Sequence, residues 1–314
     1  MLKRLLFVTA FLPMAWGQSW TPPKTPWGDP DLQGMWPGNM GVPMQRPEAL
    51  GTRTTLTDEE FAQRQAQAKR QAAADSESTA ASDSTPGIGP PSYWTERGTP
   101  TRQTSLIIDP PNGRLPPLTP EEQTLRKEAR GGKGFPGEWR GEAASPDDLN
   151  IYYRCITRGV LGSMIPVVYN NGNEILQEPG YVIIRNEMIH ETRVIPLDGR
   201  PHLPGTVRKW LGDSRGRWDG NTLVVDTTNF NDKTRFRGSD ENLHVIERFT
   251  RVSPTMILYK FTIDDPTAFT KPWTGETPFV AQEGPVYEYA CHEGNYAMVD
   301  ILAGARAQEK NSGK

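Results

Sequence analysis

The residue types best suited to chemistry gather in the second half of the chain. All four histidines lie there, and each has a carboxylate nearby in sequence. An imidazole beside a carboxylate can act as a general acid–base pair or supply metal ligands. The pairs are His190 with Glu187 and Glu191, His202 with Asp198, His244 with Glu247, and His292 with Glu293. Solvated cross-strand pairs would give the same pattern, so each pair has a structural alternative.

Four of these residues form the predicted catalytic set. We expect Glu187 and His190 to be the acid–base pair, with His202 or His244 assisting. Such a set would suit a hydrolase, lyase or isomerase that needs no cofactor. The sequence has no Gly-x-Gly-x-x-Gly or P-loop fingerprint, so no nucleotide cofactor is predicted. It has no His-Glu-x-x-His or paired-Cys spacing either, so no metal site is predicted.

Arginines and aromatic residues near the same predicted strand ends are the candidate ligand contacts. A guanidinium can bind an anionic group through two parallel hydrogen bonds, and an aromatic ring can stack on a sugar or an apolar ring. The candidates are Arg193, Arg200, Arg217, Trp218 and Phe230. Ion pairing with nearby aspartates is the alternative for the arginines, and rim or core packing is the alternative for the rings.

The elements that must position these residues are β-strands. From residue 151 onward, apolar and β-branched runs alternate with turn signals, among them Asp219-Gly220. The spacing predicts roughly eight hairpin-linked strands and a mainly β fold. We expect an antiparallel meander barrel of the lipocalin or calycin type over residues 151–305, followed by a tail over 306–314. Such a barrel can hold one small ligand, and an open sandwich would show the same pattern.

The preceding residues, 18–150, predict an extended N-terminal arm with two short surface helices and a low-complexity segment. One helix is expected over residues 56–74, where Thr57 and Glu60 form a capping box. The second is expected to begin at Thr119 as N-cap, with Pro120 in the first helical position. Residues 75–92 are low in complexity.

The first 17 residues read as a cleavable export signal. Lys3 and Arg4 precede a short apolar run, and Ala15-Trp16-Gly17 places small residues before a predicted cut at Gln18. The run is shorter than the roughly 20 residues that span a bilayer, so we expect an exported protein, periplasmic or secreted, without a membrane span. The formal net charge of −3, with charges interspersed, argues against nucleic-acid binding.

The two cysteines, Cys155 and Cys291, predict a disulfide in an oxidising compartment. Closing so long a loop would stabilise the fold by about 4–5 kcal/mol on the chain-entropy model. A reactive thiol beside His292 is the alternative.

Several motifs resemble a family of exported bacterial proteins that is common in acidobacteria and some proteobacteria and carries no assigned activity. They are Trp27-Gly-Asp-Pro-Asp-Leu-Gln-Gly-Met-Trp36, Asn186-Glu-Met-Ile-His190, Pro196-Leu-Asp-Gly-Arg-Pro-His202, Gly212-Asp-Ser-Arg-Gly-Arg-Trp-Asp-Gly220, Asp226-Thr-Thr-Asn-Phe230 and Tyr289-Ala-Cys-His-Glu-Gly-Asn-Tyr296. The resemblance implies export and a shared fold. More loosely, Gly34-Met-Trp36 is similar to the opening strand of lipocalin-like barrels.

These observations predict an exported protein that binds a small organic or carbohydrate-derived ligand in a barrel mouth, with cofactor-independent acid–base chemistry on it. The rival interpretation is a non-catalytic periplasmic binding protein or an envelope interaction protein. Convergence of Glu187, His190 and His244 in one pocket would favour an enzyme, and a pocket lined by apolar residues would favour a carrier. The sequence leaves the oligomeric state open.

Overall fold

The computed structural model describes residues 20–81, 94–128 and 143–312. The predicted export signal at residues 1–17 and much of the low-complexity segment lie outside these residues. The strands are β1 Gly34–Met35, β2 Ile107–Asp109, β3 Asn173–Glu178, β4 Tyr181–Asn186, β5 Thr192–Pro196, β6 Asp213–Asp219, β7 Thr222–Thr228, β8 His244–Ser253, β9 Met256–Asp264 and β10 Trp273–Val280. The α-helices are α1 Asp58–Ala81, α2 Pro120–Glu128, α3 Val160–Met164 and α4 Tyr296–Ser312.

The strands form two antiparallel sheets and confirm a mainly β protein. The four-stranded sheet has the order β1-β3-β4-β5, and the six-stranded sheet has the order β2-β10-β9-β8-β7-β6. The region predicted to be an arm supplies an edge strand to each sheet, because β1 pairs with β3 and β2 pairs with β10. The N-terminal residues are therefore hydrogen-bonded into the body.

The predicted barrel is not confirmed, because both sheets are open within the described residues. No pairing joins the edge strands β1 and β5, or β2 and β6, of either sheet there. The chain passes from β5 to β6 through residues 197–212, which contain coil and turn instead of a continued ladder. Alternating apolar and polar residues along hairpin-linked strands occur both in barrels and in packed open sheets. The sequence pattern therefore could not decide whether the strands close into a barrel.

The inward faces of the two sheets share one core. Ile184 and Ile195 of the four-stranded sheet belong to the same buried cluster as Phe249 and Phe261 of the six-stranded sheet. Along β9, the alternate residues Ile257, Tyr259, Phe261 and Ile263 are fully buried, as strand parity predicts. This face packs the ring of Tyr259 5.0 Å from that of Phe279 and 4.9 Å from that of Phe249, measured between centroids.

The helices begin where their caps predict. Thr57 and Glu60 form the expected capping box ahead of α1, and the hydroxyl of Thr119 accepts a hydrogen bond from the Glu122 N–H at the start of α2. The predicted meander ends earlier than residue 305, because no described strand follows β10, and α4 covers most of the predicted tail. Within the described residues, no helix is both long and apolar enough to cross a membrane.

Candidate functional site

In the turn between β4 and β5, the side chains of Glu187 and His190 lie in different surroundings. Ile189 and His190 both have positive φ, 58° and 44°, a conformation that costs non-glycine residues of order 1–3 kcal/mol each. Glu187 is buried and lines a cavity, whereas His190 is exposed and its Nδ1 lies 3.1 Å from the carbonyl oxygen of Tyr289. The expected acid–base pair is therefore not formed by these two side chains.

The cavity beside Glu187 has a volume of about 410 Å³. It lies where β1, the start of β3 and the end of β10 meet residues 96–99 of the N-terminal region. Its polar walls include Asn39, Glu96, Thr99, Glu187, Gln282 and Tyr287, and its apolar walls include Met35, Pro37 and Pro285. Two carboxylates thus line the cavity, and no lysine or arginine among the described residues lines it.

Residues 170–172 hold both carboxylates. The backbone N–H of Asn170 donates to Glu96 at 2.8 Å, and its side-chain amide donates to Glu187 at 2.9 Å. Asn171 donates to Glu96 from both its backbone and its side chain, at 3.1 and 2.9 Å. The N–H of Gly172 donates to Glu187 at 3.2 Å. These donors are neutral amides, so they orient the two carboxylates without cancelling their charge.

The local sequence explains how these residues come so close. Asn170 has φ +55°, and asparagine tolerates this left-handed conformation better than most residues. A Cβ on Gly172 would lie 2.5 Å from both Oε2 of Glu187 and Cε of Met35, so a larger residue here would displace the ends of both side chains. Sequence reasoning missed Glu96 and Asn170, although the run Asn-Asn-Gly-Asn before β3 is a recognisable turn signal.

The other two predicted histidines do meet, on the carboxylate of Asp226. The Nε2 atoms of His202 and His244 lie 3.1 and 3.0 Å from its Oδ1. The other ring nitrogen of His202 lies 3.3 Å from Asp213. His202 belongs to the β5–β6 connection, so this imidazole–carboxylate cluster fastens that connection to the six-stranded sheet. Neither histidine lines the cavity.

The cluster shifts two pKa values in opposite directions. The hydrogen bond from His244 lowers the pKa of Asp226 below its ordinary value, while partial burial opposes the shift. The same hydrogen bond raises the pKa of His244, again against burial. Both side chains are about one third or more exposed, at 33% and 44%, so solvent weakens the interaction.

The structure gives the five predicted ligand-contact residues other surroundings. Arg193 is buried and forms an ion pair with Glu247 in the core, and Phe230 is also buried there. Arg200 is exposed and paired with Asp198, as the alternative interpretation held. Arg217 is exposed on β6, and Trp218 packs partly against the core. None of the five lines the cavity.

The disulfide prediction is confirmed. Cys155 and Cys291 are bonded with their Cα atoms 5.8 Å apart, so the alternative of a reactive thiol beside His292 is wrong. In the part of the chain that the structure describes, no group of three or more His, Cys, Asp or Glu residues is arranged to hold a metal ion.

Comparisons with known proteins assign no family to the chain. No protein-family model, curated protein or solved structure matches it.

Proposed function

We propose that the cavity between Glu96 and Glu187 binds a small, uncharged, hydroxyl-rich organic ligand of the carbohydrate-derived class, and that the protein does so outside the cytoplasm. The observation that carries the proposal is a pair of carboxylates held by neutral amides in a cavity of about 410 Å³. A carboxylate accepts hydrogen bonds only, so a ligand rich in O–H donors is complementary to it. The disulfide supports export, because disulfides persist in oxidising compartments.

The same features argue against an anionic ligand. A ligand carboxylate or sulfate would face Glu96 and Glu187 without a lining arginine or lysine among the described residues to offset the repulsion. Tyr287 is 68% exposed at the rim, where its ring can stack on the apolar face of a sugar.

Acid–base chemistry on the bound ligand is the second candidate. Glu187 keeps its predicted place in this function, with Glu96 instead of His190 as the other titratable group at the cavity. Two carboxylates beside one bound sugar are the group type that glycoside hydrolysis uses. Mass spectrometry of the ligand after incubation with the protein distinguishes the two functions. A converted ligand indicates an enzyme, and an unchanged one indicates a binding protein.

A thermal-shift screen tests the proposal. The mature chain is heated with glucose, cellobiose and chitobiose, and with glucuronate and galacturonate as anionic counterparts. A ligand at a hundredfold excess over its Kd should stabilise the protein by about 2.7 kcal/mol. We expect shifts with neutral sugars, and we expect Glu187→Gln to reduce them.

Glu174→Gln is the matched control, because Glu174 lies on the same sheet but pairs with Arg185. A response to uronates alone, or an equal response in the Glu187→Gln variant, would overturn the proposal.

A further inference from the structure

One wall of the cavity is a strap, residues 281–291, that follows β10. Gln282, Pro285 and Tyr287 of the strap line the cavity opposite the loop that holds the carboxylates. The strap begins with two backbone hydrogen bonds, from Ala281 to Thr255 at 2.8 Å and from Gln282 to Met35 at 3.1 Å. Its first two residues are therefore fixed to the sheets.

The middle of the strap makes few contacts of the kind that would fix its backbone. Residues 281–291 have no regular secondary structure and are largely exposed. Within the described residues, residues 283–288 make no hydrogen bond to the rest of the chain. Pro285 and Tyr287 belong to this stretch, so their position depends on what holds the strap at its far end.

That far end is held covalently. Cys291 is bonded to Cys155, which is 6% exposed. The anchor is thus a buried residue, while the strap that it holds is exposed.

Weaker, non-covalent contacts lie near the disulfide. The ring N–H of His190 donates to the carbonyl of Tyr289, and the hydroxyls of Tyr289 and Tyr152 are 3.4 Å apart. Beyond the strap, the side-chain amide of Asn295 donates to the carbonyl of Tyr153 at 2.7 Å.

We propose that the Cys155–Cys291 disulfide is the positioning element of the ligand cavity: it holds Pro285 and Tyr287 in place, and the cavity is complete only in the oxidised protein. The consequence for binding rests on the function proposed above. Dithiothreitol supplies two electrons and two protons to the disulfide, which yields two free thiols and the cyclic oxidised dithiol. At its far end the strap then keeps only the hydrogen bonds of Tyr289 and Asn295 among the described residues.

Backbone ¹⁵N NMR relaxation tests this without a ligand, because it reports the order of exposed amides that make no hydrogen bond. Oxidised wild type, dithiothreitol-treated wild type and the Cys155→Ser/Cys291→Ser variant are compared over the strap and over β8 and β9. We expect the order parameters of the strap amides to fall from about 0.85 to below about 0.6 once the disulfide is gone, with those of β8 and β9 unchanged. His190→Ala is the matched control, because it removes a non-covalent contact and should leave the strap ordered.

Two NMR results would overturn the proposal. One is a strap whose order parameters are unchanged in the reduced, folded protein, since the non-covalent contacts would then suffice. The other is a loss of order in β8 and β9 together with the strap, since the disulfide would then hold the whole fold.

Calorimetric titration with cellobiose and chitobiose supplies the binding arm. We expect affinity to fall about tenfold or more on reduction. If oxidised wild type binds no neutral sugar, the proposed function fails, whereas the NMR result still decides the role of the disulfide.

Discussion

Two buried carboxylates on neighbouring parts of this fold are held in opposite ways. Glu247 on β8 is fully buried and receives both ends of the Arg193 guanidinium and the hydroxyl of Tyr259, at 2.9 Å. Glu187 is 7% exposed, and the donors that it receives within the described residues are the amides of Asn170 and Gly172. Glu247 therefore has a cation as partner, and Glu187 has only neutral donors.

The presence or absence of a cationic partner distinguishes a carboxylate that stabilises the core from one that can bind a ligand. The Arg193 and Glu247 charges cancel inside the core, and burial there, followed by the Glu247 charge, raises the pKa of Tyr259 well above its ordinary value. Glu187 has no cationic partner among the described residues and lies beside a cavity, where a donor from outside can reach it. A buried carboxylate thus indicates a binding site only when no cation within the protein satisfies it.

Breaking the buried pair should have the largest effect. Arg193→Met leaves Glu247 in the core without its cation, and it should lower the free energy of unfolding by about 3–5 kcal/mol. Urea denaturation measures the loss. The double variant Arg193→Met/Glu247→Met should be clearly more stable than the single one, because no charge is left unpaired. A loss below about 1 kcal/mol in the single variant would show that the pair is not buried as described.

Filling the space at Gly172 should have the next largest effect, on ligand binding. In Gly172→Ala, the new Cβ meets Oε2 of Glu187 and Cε of Met35 at 2.5 Å. Both atoms end flexible side chains and can move aside, so the loss in urea denaturation should stay below about 1 kcal/mol, while the displaced Glu187 carboxylate should bind the ligand about tenfold more weakly. Gly205→Ala is the control, since neither glycine has positive φ and nothing lies within 4 Å of the Cβ position of Gly205. Equal binding by the two variants would show that crowding at the cavity is unimportant.

Asp226 is a third carboxylate, more exposed than Glu247 and Glu187, and its hydrogen bonds to histidines predict that the stability depends on pH. The lowered pKa of Asp226 adds stability above about pH 4, its ordinary value, and that stability is lost as the pH falls through the lowered value. The raised pKa of His244 adds stability below about pH 6.5, and that stability is lost as the pH rises through the raised value.

The stability difference between wild type and Asp226→Asn should therefore be largest between about pH 4 and 6.5, at no more than about 1 kcal/mol because the groups are exposed. Urea denaturation across pH 3–9 measures it. Asp219→Asn is the control, because Asp219 is an exposed partner of Arg248 and no histidine bonds it. A difference that does not change with pH would refute the role of the histidines.

The smallest effect is expected at Arg200. Its ion pair with Asp198 is exposed, so Arg200→Ala should change the free energy of unfolding by no more than about 0.5 kcal/mol. Sugar binding should also be unchanged. A marked loss of binding in calorimetry would restore Arg200 as a ligand contact.

The sequence predicts the sheets better than it predicts the site. Alternation along β9 identifies its buried face, and the two cysteines identify the disulfide. Closure was not predictable, because it depends on how edge strands pair. The pairing of Arg193 with Glu247 joins residues 54 apart in different sheets, and strand parity says nothing about contacts across a core.

The candidate site also depends on contacts between residues that are far apart in the sequence. Glu187 was recognised as a candidate, but the loop that orients it also binds Glu96, 75 residues from Asn171 and outside any strand. The spacing of His190 from Glu187 favoured a pair within one turn. Two residues with positive φ in that turn separate the side chains instead, and nothing in the residue types predicts such a conformation for Ile189.

The most direct test of Glu187 as a ligand-binding carboxylate is calorimetric titration of wild type, Glu187→Gln and Glu174→Gln with cellobiose and glucuronate. We expect wild type to prefer the neutral sugar, Glu187→Gln to bind it about tenfold or more weakly, and Glu174→Gln to stay within about twofold of wild type. Unweakened sugar binding by Glu187→Gln, or tighter binding of glucuronate than of cellobiose by wild type, would contradict this role of Glu187.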